Sequence, residues 1–245
     1  MKKTLGLSLA LGLTLSGLPT ISNAELQPNS FVAPQKEVLS EELIKEIKNN
    51  FTIGGISEET QIRLIEKLKK GELLDAQNPA KVGTGYTQTK EYLDENVVLC
   101  TEKKTTYLDG SVTLESITGG TFEEVGPKVE QRTISGGTSR TGSGYVNYYG
   151  RKVSRLSGAV YSSFKADYSH VKGGYDSLSR IYEWDISGVG SLGNIELKLE
   201  RGTETSSRNA YGFLRFTGPI SGNYTTTFYH KIYVGGDKAW DTGNW

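Results

Sequence analysis

Thr227-Phe228-Tyr229-His230-Lys231-Ile232-Tyr233-Val234 is the stretch that decides the fold. Phe228, His230, Ile232 and Val234 alternate with Thr227, Tyr229, Lys231 and Tyr233. Successive side chains of a strand leave opposite faces of a sheet, so this period of two predicts a β-strand with one covered face and one wet face. The pattern recurs upstream. Ala210, Gly212, Leu214 and Phe216 share a side, and Ile195, Leu197 and Leu199 oppose Glu196, Lys198 and Glu200. Leu178, Tyr182, Trp184 and Ile186 are expected on a face opposite Glu183 and Asp185. Val160, Ser162, Phe164, Ala166 and Tyr168 are expected opposite Tyr161, Ser163, Lys165 and Asp167. Gly-rich gaps at 172–174, 187–193, 201–207 and 218–223 separate these runs at the spacing of a sandwich. The fold class expected is mainly β, with an antiparallel β-sandwich-like domain over residues 136–245.

Working toward the N-terminus, the period of two begins near residue 86. Val97–Tyr107 and Ser111–Ile117 flank Asp109-Gly110, a two-residue turn signal, so 86–135 is read as a β-hairpin unit. Residues 38–85 are read as a two-helix region and linker. Leu39, Leu43, Ile44, Ile47 and Phe51 repeat at helical spacing behind Ser40 as N-cap, and Thr52-Ile53-Gly54-Gly55 breaks the run. A second helix is expected from Ser57 through Ile62, Ile65 and Leu68 to Gly71, with Lys67, Lys69 and Lys70 at its carbonyl end. Two short amphipathic helices cannot bury their apolar stripes alone. Pairing with each other, docking on the β domain and serving as a removable pro-segment all answer that need, and docking is preferred.

Residues 1–24 read as a cleavable signal peptide. Lys2 and Lys3 precede an apolar run, Leu5 to Leu15, and Ser22-Asn23-Ala24 offers small residues to a peptidase. Residues 25–37, with Pro28 and Pro34, read as a flexible tail. The expectation is a secreted, extracellular or surface-associated bacterial protein with no transmembrane segment in its mature part. Removing the leader leaves 26 basic against 28 acidic residues, too even a balance to read as a nucleic-acid-binding surface. Cys100 is the one cysteine, so no internal disulfide forms, and its apolar neighbours Val97, Val98 and Leu99 point to a buried thiol.

At Gly71-Glu72-Leu73-Leu74-Asp75-Ala76-Gln77-Asn78-Pro79 and Tyr107-Leu108-Asp109-Gly110-Ser111 the chain loosely resembles secreted proteins of Gram-positive bacteria that carry no assigned activity. In those, a helix ends in a KGE…D…NP stretch, a Y.DGS hairpin comes next, and the tail is β-sandwich-like. The resemblance implies export and a β-rich fold, and it supplies no catalytic residue.

The chemistry-bearing residues are sparse. Glu183 and Asp185, two positions apart on one strand, are the pair a glycosidase would need, though adjacent acids on one face are commonly just solvated, and that reading is preferred. His170 and His230 are the only histidines, and neither has a companion at ligand spacing, so no metal and no cofactor is expected. Eleven of the fourteen tyrosines lie between Tyr145 and Tyr233. Tyr161, Tyr229 and Tyr233 fall on the outward parity and are the candidate ligand-binding residues, because exposed rings offer flat surface at low entropic cost. The leading expectation is a non-enzymatic binding module for cell-wall glycan or a surface protein. A β-pore-forming toxin or bacteriocin-like effector, with a hairpin from 132–170, is the alternative; a glycan-active enzyme is a further one.

Overall fold

The computed structural model describes residues 39–125, 144–219 and 225–245, all within one compact unit spanning Pro34–Trp245. The expected signal peptide over 1–24, the expected flexible tail over 25–37 and the 132–143 part of the expected inserting hairpin lie outside the described residues.

Helix α1 covers Glu41–Ile53 and α2 covers Glu58–Lys69. Ser40 caps α1 by accepting a hydrogen bond from the Leu43 amide at 3.1 Å, which satisfies one of the orphan donors of the first turn. In α2, Leu64 is buried with Ile65 and Leu68, whereas Ile62 is exposed; the buried stripe is rotated from the one the spacing predicted. Two short 3-10 turns, Asp75–Gln77 and Pro79–Lys81, lead into the strands.

Eleven strands come next among the described residues: β1 Tyr86–Leu93, β2 Leu99–Thr106, β3 Val112–Thr118, β4 Thr121–Val125, β5 Tyr145–Ser157, β6 Val160–Val171, β7 Ser177–Ser187, β8 Gly193–Arg201, β9 Ala210–Pro219, β10 Thr225–Val234 and β11 Ala239–Gly243. They form two antiparallel sheets. The first runs β1-β2-β3-β5-β6-β7, with β4 paired to β5 beyond the end of β3, and the second runs β11-β10-β9-β8. The 86–125 hairpin strands therefore share one sheet with β5–β7. The expected turn at Asp109-Gly110 joins β2 to β3, and Gly110 takes φ +89°, which glycine alone adopts without strain.

The inner faces meet in one core. Val153, Phe164, Ala166, Tyr168 and Leu178 of the first sheet pack against Ala210, Leu214, Phe216, Phe228, Ile232 and Val234 of the second. A second core lies on the other face of the first sheet, where α1 and α2 bring Ile47, Phe51, Leu64, Ile65 and Leu68 onto Val112, Leu156, Ala159 and Tyr161. The helices thus dock on the sheet, and the order of layers is helices, first sheet, second sheet. Gly54 makes that close approach possible: a Cβ there would meet Val112 Cγ2 at 2.7 Å and Leu156 Cδ2 at 2.9 Å. Asn50, at the end of α1, donates to the Ala159 carbonyl at 2.8 Å and accepts from the Ser187 hydroxyl at 2.9 Å.

Strand β7 departs from the expected alternation. Ser179 is an extra residue opposite the Asp167/Tyr168 step, and a second irregularity falls at Glu183, whose φ is +50°. Each bulge reverses the parity of the residues beyond it. Ile181 therefore takes the inward place, and Tyr182 turns outward to donate to Asp167 at 3.1 Å.

Candidate functional site

Strand β9 alternates buried and half-buried residues along its whole length, and β10 does so from Phe228 to Val234. With Ala210, Gly212, Leu214 and Phe216 facing in, Tyr211, Phe213 and Arg215 face out, beside Tyr229, Lys231 and Tyr233 of β10. The pairing aligns Arg201, Tyr211, Tyr233 and Trp240 in one row across β8, β9, β10 and β11. Tyr211 stacks on Tyr233 with ring centroids 5.5 Å apart, and Tyr233 stacks on Trp240 at 5.7 Å with planes 17° apart. The Arg201 guanidinium lies 5.3 Å over Tyr211 at the far end. A parallel row holds Tyr229, in edge contact with Phe213 at 5.9 Å and beneath the Lys231 ammonium at 5.4 Å.

Two of the three tyrosines expected to face outward, Tyr229 and Tyr233, therefore lie on the outer face of one sheet. Tyr161 does not. Its parity on β6 is as expected, but that face of the first sheet is roofed by the helices, and Tyr161 is 6 % exposed. The three tyrosines form no common patch, and the ring set on the second sheet is Tyr211, Phe213, Tyr229, Tyr233 and Trp240. Tyr211 and Phe213 are legible as the odd partners of an even-numbered buried run. Trp240 depends on recognising Gly235-Gly236-Asp237-Lys238 as a hairpin turn, with positive φ at Gly236 and Asp237.

The carboxylates considered for catalysis sit elsewhere. Glu183 projects from the bulge and pairs with Lys165 on the exposed surface, and Asp185 is exposed beside it. His170 Nδ1 donates to the Asp176 carboxylate at 3.0 Å. Asp176 also receives the amides of Val171 and Asp237, fastening the connection between β6 and β7 to the turn between β10 and β11. Asp237 and Asp241 diverge: the first holds a turn, and the second points inward, 3.6 Å from Arg155 Nη1 and 3.7 Å from His230 Nε2. Among the described residues no cluster of three or more His, Cys, Asp or Glu side chains could hold a metal ion.

His230 is fully buried, with Nδ1 2.9 Å from the Ser162 hydroxyl. Ser162, His230 and Asp241 thus stand in the order of a nucleophile, base and acid. Ser162 has no exposed surface, however, so no substrate reaches it, and the series is a polar filling of the core. Burial holds the His230 imidazole below its ordinary 6.5, against an opposing pull from Asp241. Cys100 is buried, its thiol 3.5 Å from the Val98 carbonyl.

No described helix is long and apolar enough to cross a membrane. No protein-family model, curated protein or solved structure matches this chain.

Proposed function

We propose that the protein is a secreted, non-enzymatic bacterial binding module that holds cell-wall glycan on the outer face of its second sheet. The observation that carries this reading is the row Tyr211–Tyr233–Trp240. A stack of three rings stands on a sheet face that no described element covers, and Trp240 on the edge strand is 37 % exposed. The apolar C–H faces of sugar rings pack on aromatic surface, and hydroxyls need nearby donors and acceptors to fix them. Arg201 and Lys231, together with the Arg215–Glu196 pair at 2.9 Å, supply those beside the rings. Cross-strand ring pairs also stabilise a sheet; a third ring reaching the edge strand, flanked by cations, extends the row beyond one pair.

Co-sedimentation with purified, insoluble cell-wall glycan tests the reading. The wild-type protein is expected in the pellet, and the triple variant Tyr211→Ala, Tyr233→Ala, Trp240→Ala in the supernatant.

The pore-forming alternative draws less support from the architecture. The described part of the expected inserting hairpin is β5 and β6, central strands whose side chains fill both cores. Withdrawing them would open the whole molecule.

A further inference from the structure

Sheet one overhangs sheet two. Strand β11 packs over β3 and β5, and β1 and β2 continue past it, so the inner face of β1 and β2 has no sheet opposite. The residues on that face and its continuation on β3 are Thr87, Thr89, Thr101, Lys103, Thr105, Thr113 and Glu115, polar at the very parity that holds Ile117 and Val153 farther in. Between this face, the Ala76–Gly85 segment and residues 243–245 lies a cleft of about 460 Å³. A smaller hollow of about 260 Å³ continues from it along β11, sharing Lys103 and Glu115. Both the size and the lining suit a small molecule; such sites run roughly 300–1,000 Å³.

The charges along the cleft cancel. Glu115 takes Lys103 at 2.9 Å and Arg155 from the other side, and Arg155 also approaches Asp241 at 3.6 Å. Burial pushes the Glu115 carboxyl up, but Arg155 and Lys103 outweigh it and hold the group ionised below its ordinary value. Two cations meet two anions, so an ionic ligand finds no uncompensated partner. Unpartnered atoms remain both on this compensated network, at Arg155 Nε and Asp241 Oδ2, and on neutral groups. Gln77 lines the cleft at 6 % exposure, and neither its amide nitrogen nor its amide oxygen has a hydrogen-bond partner. The indole N–H of Trp245 is unpartnered in the same wall. A buried polar group left without a partner costs about 1–3 kcal/mol, which a ligand that pairs with it would recover. A carboxamide offers one donor and one acceptor side by side, the complement of two neighbouring hydroxyls, and Tyr107 and Trp245 add aromatic surface.

We infer that this cleft binds a single neutral sugar or polyol unit between the Thr-rich overhang and the indole of Trp245, with the Gln77 carboxamide, closed off from solvent in the free protein, turning to meet it. The site is separate from the ring row on the outer face and does not depend on it.

Saturation-transfer NMR on the mature protein tests this with methyl glucoside, N-acetylglucosamine and glucuronic acid as probes. The two neutral sugars are expected to give saturable signals, and the acid a weaker one. Thr87→Trp, made on an exposed strand at the cleft mouth, should fill the space and abolish the signal with the melting temperature retained. Gln77→Leu should weaken binding at least about tenfold; if that variant does not fold, Thr87→Trp decides alone. The triple variant of the ring row should keep the signal, which separates this site from the glycan-binding face. No saturable signal from any probe, a preference for the acid, or an unchanged signal in Thr87→Trp would overturn the inference. A signal lost in the ring-row variant and kept in Thr87→Trp would do the same.

Discussion

The His230 imidazole and the Ser162 hydroxyl meet at 2.9 Å in the closed space between the two sheets, on β10 and β6 respectively. With Asp241 3.7 Å from its other nitrogen and Arg155 beyond, His230 is held neutral by burial. The unfolded chain takes a proton near pH 6.5 while the folded chain does not. Stability from this group is therefore complete above about pH 6.5 and falls as pH drops below it, by up to about 1.4 kcal/mol per unit. Burial raises both Glu115 and Asp109, but Arg155 and Lys103 on the first, and Lys67 with hydrogen bonds from Ser111 and the Asp75 amide on the second, outweigh it and hold both below their ordinary values. They therefore add their losses only at more acid pH, below about 4.5 and 3.8. Thermal melts between pH 7 and 5 should show Tm falling in the wild type and falling less steeply in His230→Phe. Parallel slopes in the two proteins would remove His230 as the cause.

Tyr161 and Tyr229 should behave oppositely although both are outward by parity. Tyr161→Ala opens a cavity beneath α1 and α2 and should cost about 3 kcal/mol, a Tm drop of roughly 6–12 °C. Tyr229→Ala removes a half-buried ring from an open face and should cost less than about 1 kcal/mol. Differential scanning calorimetry of the two variants checks the ranking.

Asn50 ties α1 to the turn between β5 and β6 and to the end of β7 through Ala159 and Ser187. Asn50→Leu strands the Ala159 carbonyl in a buried place and should cost about 2 kcal/mol. Urea unfolding read by circular dichroism should show a lower midpoint and a single transition, because the helices share a core with the sheet. A separate early transition for the helices would mean that they dock only weakly.

The parts that sequence makes legible are those where one physical rule acts alone. In β9 and β10 nothing interrupts the pleat, so each buried residue from Ala210 to Val234 within those strands stands where alternation puts it. In β7 the extra residue at Ser179 and the left-handed backbone at Glu183 reset the parity, and no local composition announces either. Alternation puts Tyr161 on the correct face, but the cover over a face is decided by α1 and α2, more than ninety residues earlier in the chain. The ring row is half visible, since Tyr229 and Tyr233 are legible and their neighbours require strand order. The cleft is not visible at all. Thr87, Thr105 and Glu115 look like an ordinary wet strand face until the shortfall of the second sheet turns that face into a wall.

The proposed function stands on the face built by Tyr211, Tyr233 and Trp240, and a binding isotherm on insoluble cell-wall glycan probes that face itself. If each ring contributes about 1 kcal/mol, the triple alanine variant should bind roughly 100-fold more weakly while its Tm moves by only a few degrees. An isotherm that superimposes on the wild type, with the variant still folded, would refute the assignment of that face.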